Sequence, residues 1–207
     1  MGTGAKPKIG AIYKVAGFLA SLMIGYLCLR GYRLSTEKLR TNSCIEEAGE
    51  LINNIQSAYK SELTYETLEY KTAVTLNLIP KKMFKPGYRE AINSYLGGVD
   101  MFYSSLWVED DKKAFEISFQ GLSQFGCSML MRMQWDDGDN ISYIAVGGYN
   151  TPTPSGVLDA ITPDTKQEDI KDRHIFRPEY IRYASDSRIN EVCACKKDTC
   201  TVVWKFN

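Results

Sequence analysis

The sequence predicts an α+β fold, with one long N-terminal helix packed on the antiparallel sheet of a small globular head. Three patterns carry that prediction. The run VAGFLASLMIGYLCL over 15–29 holds no charge. Apolar residues then recur at helical spacing up to Tyr59, and the rest of the chain alternates polar with apolar over short stretches broken by glycine and proline.

At 207 residues and 23.4 kDa the chain holds one good-sized domain or two small ones. Its 25 basic and 25 acidic residues cancel, so there is no basic footprint for a nucleic-acid partner. A 44% hydrophobic and 12% aromatic composition excludes an intrinsically disordered chain. Mean hydropathy of −0.27 excludes a multi-span membrane protein. The cancellation is uneven: residues 1–40 carry a net +6 and residues 41–207 a net −6.

The first element is the apolar helix. Extended back to Ile9, the run is interrupted only by Lys14. At 1.5 Å per residue it reaches roughly 31 Å, the thickness of a hydrocarbon core. Val15, Phe18, Leu19, Leu22, Met23, Ile24, Leu27 and Leu29 each favour insertion by about 0.3–0.6 kcal/mol, and Lys14 sits near one end where it can snorkel. A buried core helix and a cleaved secretory signal compete with this reading. Arg30, Gly31, Tyr32 and Arg33 follow the run where a small-residue cleavage site would stand, which favours a retained single span over about 9–29. Charge counting across the span (Lys6, Lys8 and Lys14 before; Arg30, Arg33, Lys38 and Arg40 after) slightly favours a cytoplasmic head. The cysteines favour an exported one.

Ile45, Ala48, Ile52, Ile55 and Tyr59 then form the stripe of an amphipathic helix, with Glu46, Glu47, Glu50 and Lys60 off it. No proline interrupts residues 8–79, so span and stripe are expected to be one rod, with Gly25, Gly31 and Gly49 as soft points. Thr64 is placed to cap a second helix running through Tyr65, Leu68, Thr72 and Leu76 and ended by Pro80. Gly87, Gly97 and Gly98 mark turns. Val99, Met101 and Tyr103 alternate as a strand, and Phe115, Ile117 and Phe119 alternate with polar residues as a strand buried on one face. Ser123 caps a helix with Cys127, Leu130, Met131 and Trp135 inward; a strand follows from Ile141 to Val146. Residues 150–174 read as a long surface excursion. Strands at Glu191–Cys195 and Thr201–Phe206, joined by a KKDT turn, are expected to close the chain as a hairpin.

Cys28 lies in the span and Cys44 just beyond it, while Cys127, Cys193, Cys195 and Cys200 lie in the body. Four cysteines in one head, three of them within eight residues, suit disulfides in an oxidising compartment. A zinc site is the alternative, but C-x2-C knuckles are absent and the one histidine, His174, stands in a polar stretch. Cys44 reads as a free, helix-packed thiol. DDGDN at 136–140 lacks the twelve-residue loop of an EF-hand and reads as a charged turn. No nucleophile elbow, metalloprotease, Walker or dinucleotide pattern occurs. The residues therefore point to no enzyme, no cofactor and no metal.

The order of features resembles a known family. A basic leader ends at Gly10 and an apolar helix runs into an amphipathic one; then come LNLIPKKMF (76–84), INSYLGGVDMF (92–102), FEISFQGLSQFGCSML (115–130) and VCACKKDTCTVVWKF (192–206). This is similar to type IV pilins of the IVb kind and to type II secretion pseudopilins. The resemblance covers about 10–149 and 190–206 and rests on the order of motifs rather than on any single one. It implies a bacterial subunit held by one span in the inner membrane, its head in the periplasm, then assembled with other subunits into a pilus or secretion filament. The implied layout is a leader at 1–10, a long helix at 11–60 and a head at 61–207. A prepilin peptidase would cut after Gly10, leaving Ala11 first. Such pilins usually carry a glutamate where this chain has Val15, a departure that favours a minor or tip subunit, or an unprocessed relative. The resemblance also implies a bridge from Cys127 to Cys195, closing a loop of about 68 residues at roughly 4 kcal/mol. That leaves Cys193 with Cys200, although the residues alone do not decide which cysteine Cys127 takes.

Two further functions compete. A membrane-anchored extracytoplasmic binding module would use the 150–178 excursion for its ligand. A metal-dependent enzyme would use the late cysteines.

Overall fold

The computed structural model describes residues 9–104, 112–133, 141–148, 164–170, 174–195 and 199–207. Helix α1 covers Ile9–Tyr59 and runs through Gly25, Gly31 and Gly49 without a break. The chain divides into two units inside that helix, Met1–Leu39 and Arg40–Asn207. The second unit is the α+β head. It holds α2 (Tyr70–Thr75), β1 (Val99–Ser104), β2 (Ala114–Leu122), α3 (Gln124–Met131), β3 (Ile141–Gly148), β4 (Ile175–Phe176), α4 (Pro178–Tyr183), α5 (Asp186–Val192) and β5 (Cys200–Phe206).

Among the described residues the strands form one sheet in the order β1-β2-β5-β3-β4, every neighbouring pair antiparallel. Register follows the alternation of side chains. Ile117 lies opposite Trp204 and Trp204 opposite Ile144, while Phe119, Val202 and Val146 make the next row. These rows point into the main core, where the head's part of α1 contributes Cys44, Ala48, Leu51, Ile52, Ile55 and Tyr59. Phe115 stacks on Phe206 at 4.9 Å between ring centres, and Phe119 meets Trp204 edge-on at 5.7 Å. Helix α3 begins as its sequence dictates: the Ser123 hydroxyl accepts from the Gly126 N–H at 3.0 Å, and Gly126, Cys127, Leu130 and Met131 are buried.

The structure corrects four expectations. The stripe on α1 is buried as expected at Ala48, Ile52, Ile55 and Tyr59, but it also takes in Cys44, Leu51 and Glu47, and Ile45 is only half-buried. The second helix is shorter than the sequence predicts. Tyr65 gives its N–H to the Lys112 carbonyl at 2.7 Å and sets its ring between Tyr59 and Phe115, so 65–68 forms a turn. The helix that follows stops at Leu76, where Asn77 turns left-handed (φ 56°), before Pro80 is reached.

Strand β2 is buried on both faces, not one. Glu116 and Ser118 lie beneath a second, smaller cluster of Tyr143, Ala145, Ile175 and Val203, with Ile170 packed against it. The Tyr143 hydroxyl donates to Glu116 at 2.8 Å, and the Lys205 ammonium lies 5.6 Å from the centre of the Tyr143 ring.

The C-terminal hairpin does not form. Residues 186–192 are helical, capped by Ser185, with Ile189, Val192 and Cys193 at steps of three and one on the inner face. Strand β5 pairs instead with β2 and β3. Trp135, the DDGDN run, most of the 150–174 excursion and residues 196–198 of the KKDT turn lie outside the described residues.

Candidate assembly surface

The first unit is a helix with unusual chemistry. Phe18, Leu19, Leu22, Met23, Ile24, Tyr26, Leu27 and Leu29 are all more than half exposed. At 100° per residue they cover about two thirds of the circumference, and the remaining third carries the small, uncharged Gly17, Ser21, Gly25 and Cys28, so no rotation hides them against a single neighbour. A helix apolar all round needs an apolar medium all round, from lipid or from other helices. The Ser21 hydroxyl is satisfied inside the helix, donating to the Gly17 carbonyl at 3.0 Å, and the Tyr26 phenol is the other hydroxyl of that stretch. An apolar environment would therefore leave the Ser21 hydroxyl paired. Arg30, Arg33, Lys38 and Arg40 follow and end the stretch.

Of the residues singled out from sequence, Phe18, Leu19, Leu22, Met23, Ile24 and Leu27 lie on this exposed surface. Gly10, Ala11 and Val15 fall within α1, but their side chains are not among those described. The expected span at 9–29 straddles that limit. No helix among the described residues is long and apolar enough to cross a membrane.

In the head, two polar anchors hold the helix: sequence patterning missed the one at Glu47, while the other lies in the INSYLGG run already singled out. Glu47 accepts from the Ser94 N–H at 2.8 Å and from the Ser94 hydroxyl at 2.7 Å. Burial pushes its carboxyl above the usual range, against the Ser94 donors and the charges of Lys85 and Lys82, which pull it down. One turn earlier Cys44 is free and buried, and burial together with the Glu47 charge drives its thiol far above the ordinary value. Cys28, in the first unit, is free and exposed.

The second anchor is the INSYLGG segment. The Asn93 side chain donates to the Gln120 carbonyl at 2.8 Å and accepts from the N–H groups of Tyr95 (2.8 Å) and Gly97 (3.2 Å). Gly97 lies so close to the β2 bulge that a Cβ there would stand 1.8 Å from the Gln120 oxygen. Tyr95 reaches over Gly126 and shares a 2.6 Å hydrogen bond between its hydroxyl and that of Thr41 on α1. The spacing of asparagine, aromatic and paired glycines is thus a packing knot rather than a ligand site.

The late cysteines form two bridges, Cys127–Cys193 (S–S 2.02 Å) and Cys195–Cys200 (2.09 Å). The structure therefore departs from the Cys127–Cys195 pairing that the resemblance implied. The reason is local: with 186–192 helical, Cys193 ends α5 on its inner face toward α3, and Cys195 lies beyond it, facing the start of β5. His174 is exposed and stands away from these sulfurs in sequence; its carbonyl accepts from the Val146 N–H at 2.9 Å.

A family model described as PilS N terminal matches residues 38–207, the whole head. The chain belongs to the PilS N-terminal family. The type IV pilin-like reading of the sequence thus stands on the matched head, and the long helix with an antiparallel sheet is the fold of this family member. Two solved structures are similar to it. TcpA, a type IV pilin from Vibrio cholerae El Tor biotype, is 16% identical with a TM-score of 0.48, over 82% of this chain and 99% of that one. A type IV b pilin from Salmonella typhi is 16% identical with a TM-score of 0.44, over 79% and 97%. No curated protein matches.

Proposed function

We propose that this chain is a structural subunit of an extracytoplasmic filament, a type IV pilus or a type II secretion fibre. In this reading segment 9–29 holds the subunit in the bacterial inner membrane with its head in the periplasm. The same side chains then become the dry contact between bundled helices. A prepilin peptidase would cut between Gly10 and Ala11, and Val15, in place of the usual glutamate, suits a minor subunit. The observation that carries the proposal is the exposed apolar surface of Phe18–Leu29, over about two thirds of the circumference of an uncharged helical stretch that precedes a pilin-family head.

The test is Leu22→Asp and Ile24→Asp in cells that make the filament. An aspartate at the middle of an apolar helix costs about 2.5–3.5 kcal/mol on insertion scales, whereas the head does not depend on either residue. The head should keep its two bridges and its protease resistance, while the subunit disappears from the sheared filament fraction. Normal incorporation of both variants would refute the proposal. Exchanging residues 1–33 for an unrelated anchor should abolish function too; full function after that exchange would make the chain a tethered binding module instead.

A further inference from the structure

Four sulfurs meet at one place in the head. Although Cys127 is bonded to Cys193, its sulfur lies within 4.8 Å of those of both Cys195 and Cys200. The Cys200 sulfur is in turn 3.1 Å from the Cys193 carbonyl oxygen, and Met131 closes the cluster with its sulfur 3.5 Å from that of Cys193. Access is unequal. Cys127, Cys193 and Cys200 are buried, and Cys195 alone of the four is half-exposed. A reagent from solvent therefore meets the Cys195–Cys200 bridge first, at the Cys195 sulfur.

We propose that the four sulfurs are a disulfide-exchange centre, entered by a dithiol at Cys195–Cys200 and able to pass the bond on Cys127 from Cys193 to Cys195. The steps balance. One thiolate of the dithiol attacks the Cys195 sulfur and expels Cys200 as thiolate; the second thiol of the reagent attacks the mixed disulfide and frees Cys195. The reagent leaves as its cyclic disulfide, and the protein has gained two electrons and two protons. The Cys195 thiolate then attacks the Cys127 sulfur, a Cys127–Cys195 bond forms as Cys127–Cys193 breaks, and Cys193 departs as thiolate and takes a proton. No electron is exchanged with solvent in this second stage. Cys193 and Cys200 are left as neighbouring thiols, ready for a two-electron oxidant such as a protein disulfide to join them.

The consequence is a head with two bridge patterns. In one, α3 is tied to the end of α5; in the other it is tied to the segment that enters β5. The partner class is a dithiol oxidoreductase that approaches the Cys195 side. Cys44, the free thiol of the head, is not suited to start the exchange, because it is buried and its thiol is held protonated. The inference does not depend on filament assembly.

The test uses the full chain treated with one equivalent of dithiothreitol, quenched in acid at intervals, blocked with N-ethylmaleimide and mapped as non-reduced peptides. Blocked Cys195 and Cys200 should appear first, with Cys127–Cys193 intact. A Cys127–Cys195 species with blocked Cys193 should then grow to at least about a tenth of the chains, at a rate independent of protein concentration. A Cys200→Ser variant, which frees Cys195 without reductant, should be purified as a mixture of Cys127–Cys193 and Cys127–Cys195 forms. The proposal is overturned if Cys127–Cys193 opens first, if it remains the sole surviving bridge in both proteins, or if exchange quickens with protein concentration.

Discussion

Replacing Gly97 with alanine should be among the most damaging single changes in the head, although it adds one methyl group. The added carbon would lie 1.8 Å from the Gln120 oxygen, 2.3 Å from its carbonyl carbon and 2.9 Å from the Gly121 nitrogen. All three are backbone atoms, so no rotamer change relieves the contact. Ordinary van der Waals separation requires the INSYLGG segment and β2 to part by on the order of 1.5 Å. Two hydrogen bonds span that gap: Asn93 to the Gln120 oxygen (2.8 Å) and Gln120 N–H to the Gly98 oxygen (3.0 Å). At about 2 kcal/mol each, because their partners would be left unpaired, the loss is roughly 4 kcal/mol. For a chain of this size that lowers the midpoint of thermal unfolding by about 8–16 °C.

Two other glycines make the comparison internal. At Gly98 the new carbon meets only the Gln120 side-chain amide at 3.3 Å, which can swing away from its exposed partner Asp100, so Gly98→Ala should cost under about 1 kcal/mol. At Gly49, within α1, nothing lies within 4 Å, and Gly49→Ala should stabilise by about 0.5–1 kcal/mol through helix propensity. Urea unfolding of the three full-length variants, followed by near-ultraviolet circular dichroism, measures all of this. A Gly97→Ala protein within 1 kcal/mol of the parent would show that the close crossing is not a structural constraint.

Glu47→Gln should alter how stability depends on pH. Burial raises the native carboxyl above its unfolded value near 4.5, so the native head binds that proton more tightly than the unfolded chain does. The parent's relative stability is thus fully present below the unfolded value and falls as pH rises through the raised native one. The glutamine variant lacks this loss and should gain on the parent as pH rises from 4 toward neutral; unfolding free energies with a constant or shrinking difference would refute the assignment. The two free thiols should also separate cleanly. Exposed Cys28 should be alkylated in native protein within the time that buried Cys44 remains intact, and Cys44 should react only on unfolding; mass spectrometry of iodoacetamide-treated protein reads both, and equal rates would contradict the buried, protonated thiol.

Local pattern carried much of this fold. The alternation in 99–103, 115–119 and 201–206 marked strands that exist, and Ser123 marked a helix start that its own hydroxyl makes. What escaped was set by partners far along the chain. Glu47 looked like a solvent-facing charge until Ser94, remote in sequence, supplied two donors. Glu116 and Ser118 looked solvent-facing because the residues covering them come from β3, β4 and β5. The strand expected at 191–195 is instead the end of a helix capped by Ser185, whose inner face is set by the three-step spacing of Ile189 and Val192. The bridge that the resemblance implied, Cys127 to Cys195, gives way to Cys127–Cys193 because Cys193 ends α5 on its inner face. On the candidate surface, residue type alone marked Phe18 to Leu27, because a helix without a polar side needs no tertiary information to be recognised.

The position of β5 governs the order in which the head can be built. It is the last strand in sequence yet lies in the middle of the sheet, between β2 and β3. A chain emerging from a ribosome or threaded through a translocation pore can pair β1 with β2, and β3 with β4, while Trp204 and Phe206 are still absent. Until residues 200–206 arrive, the two half-sheets have no seam and their inner faces stay wet. The two half-sheets therefore join only once residues 200–206 are present, and a chain cut short of β5 should stay open to proteases.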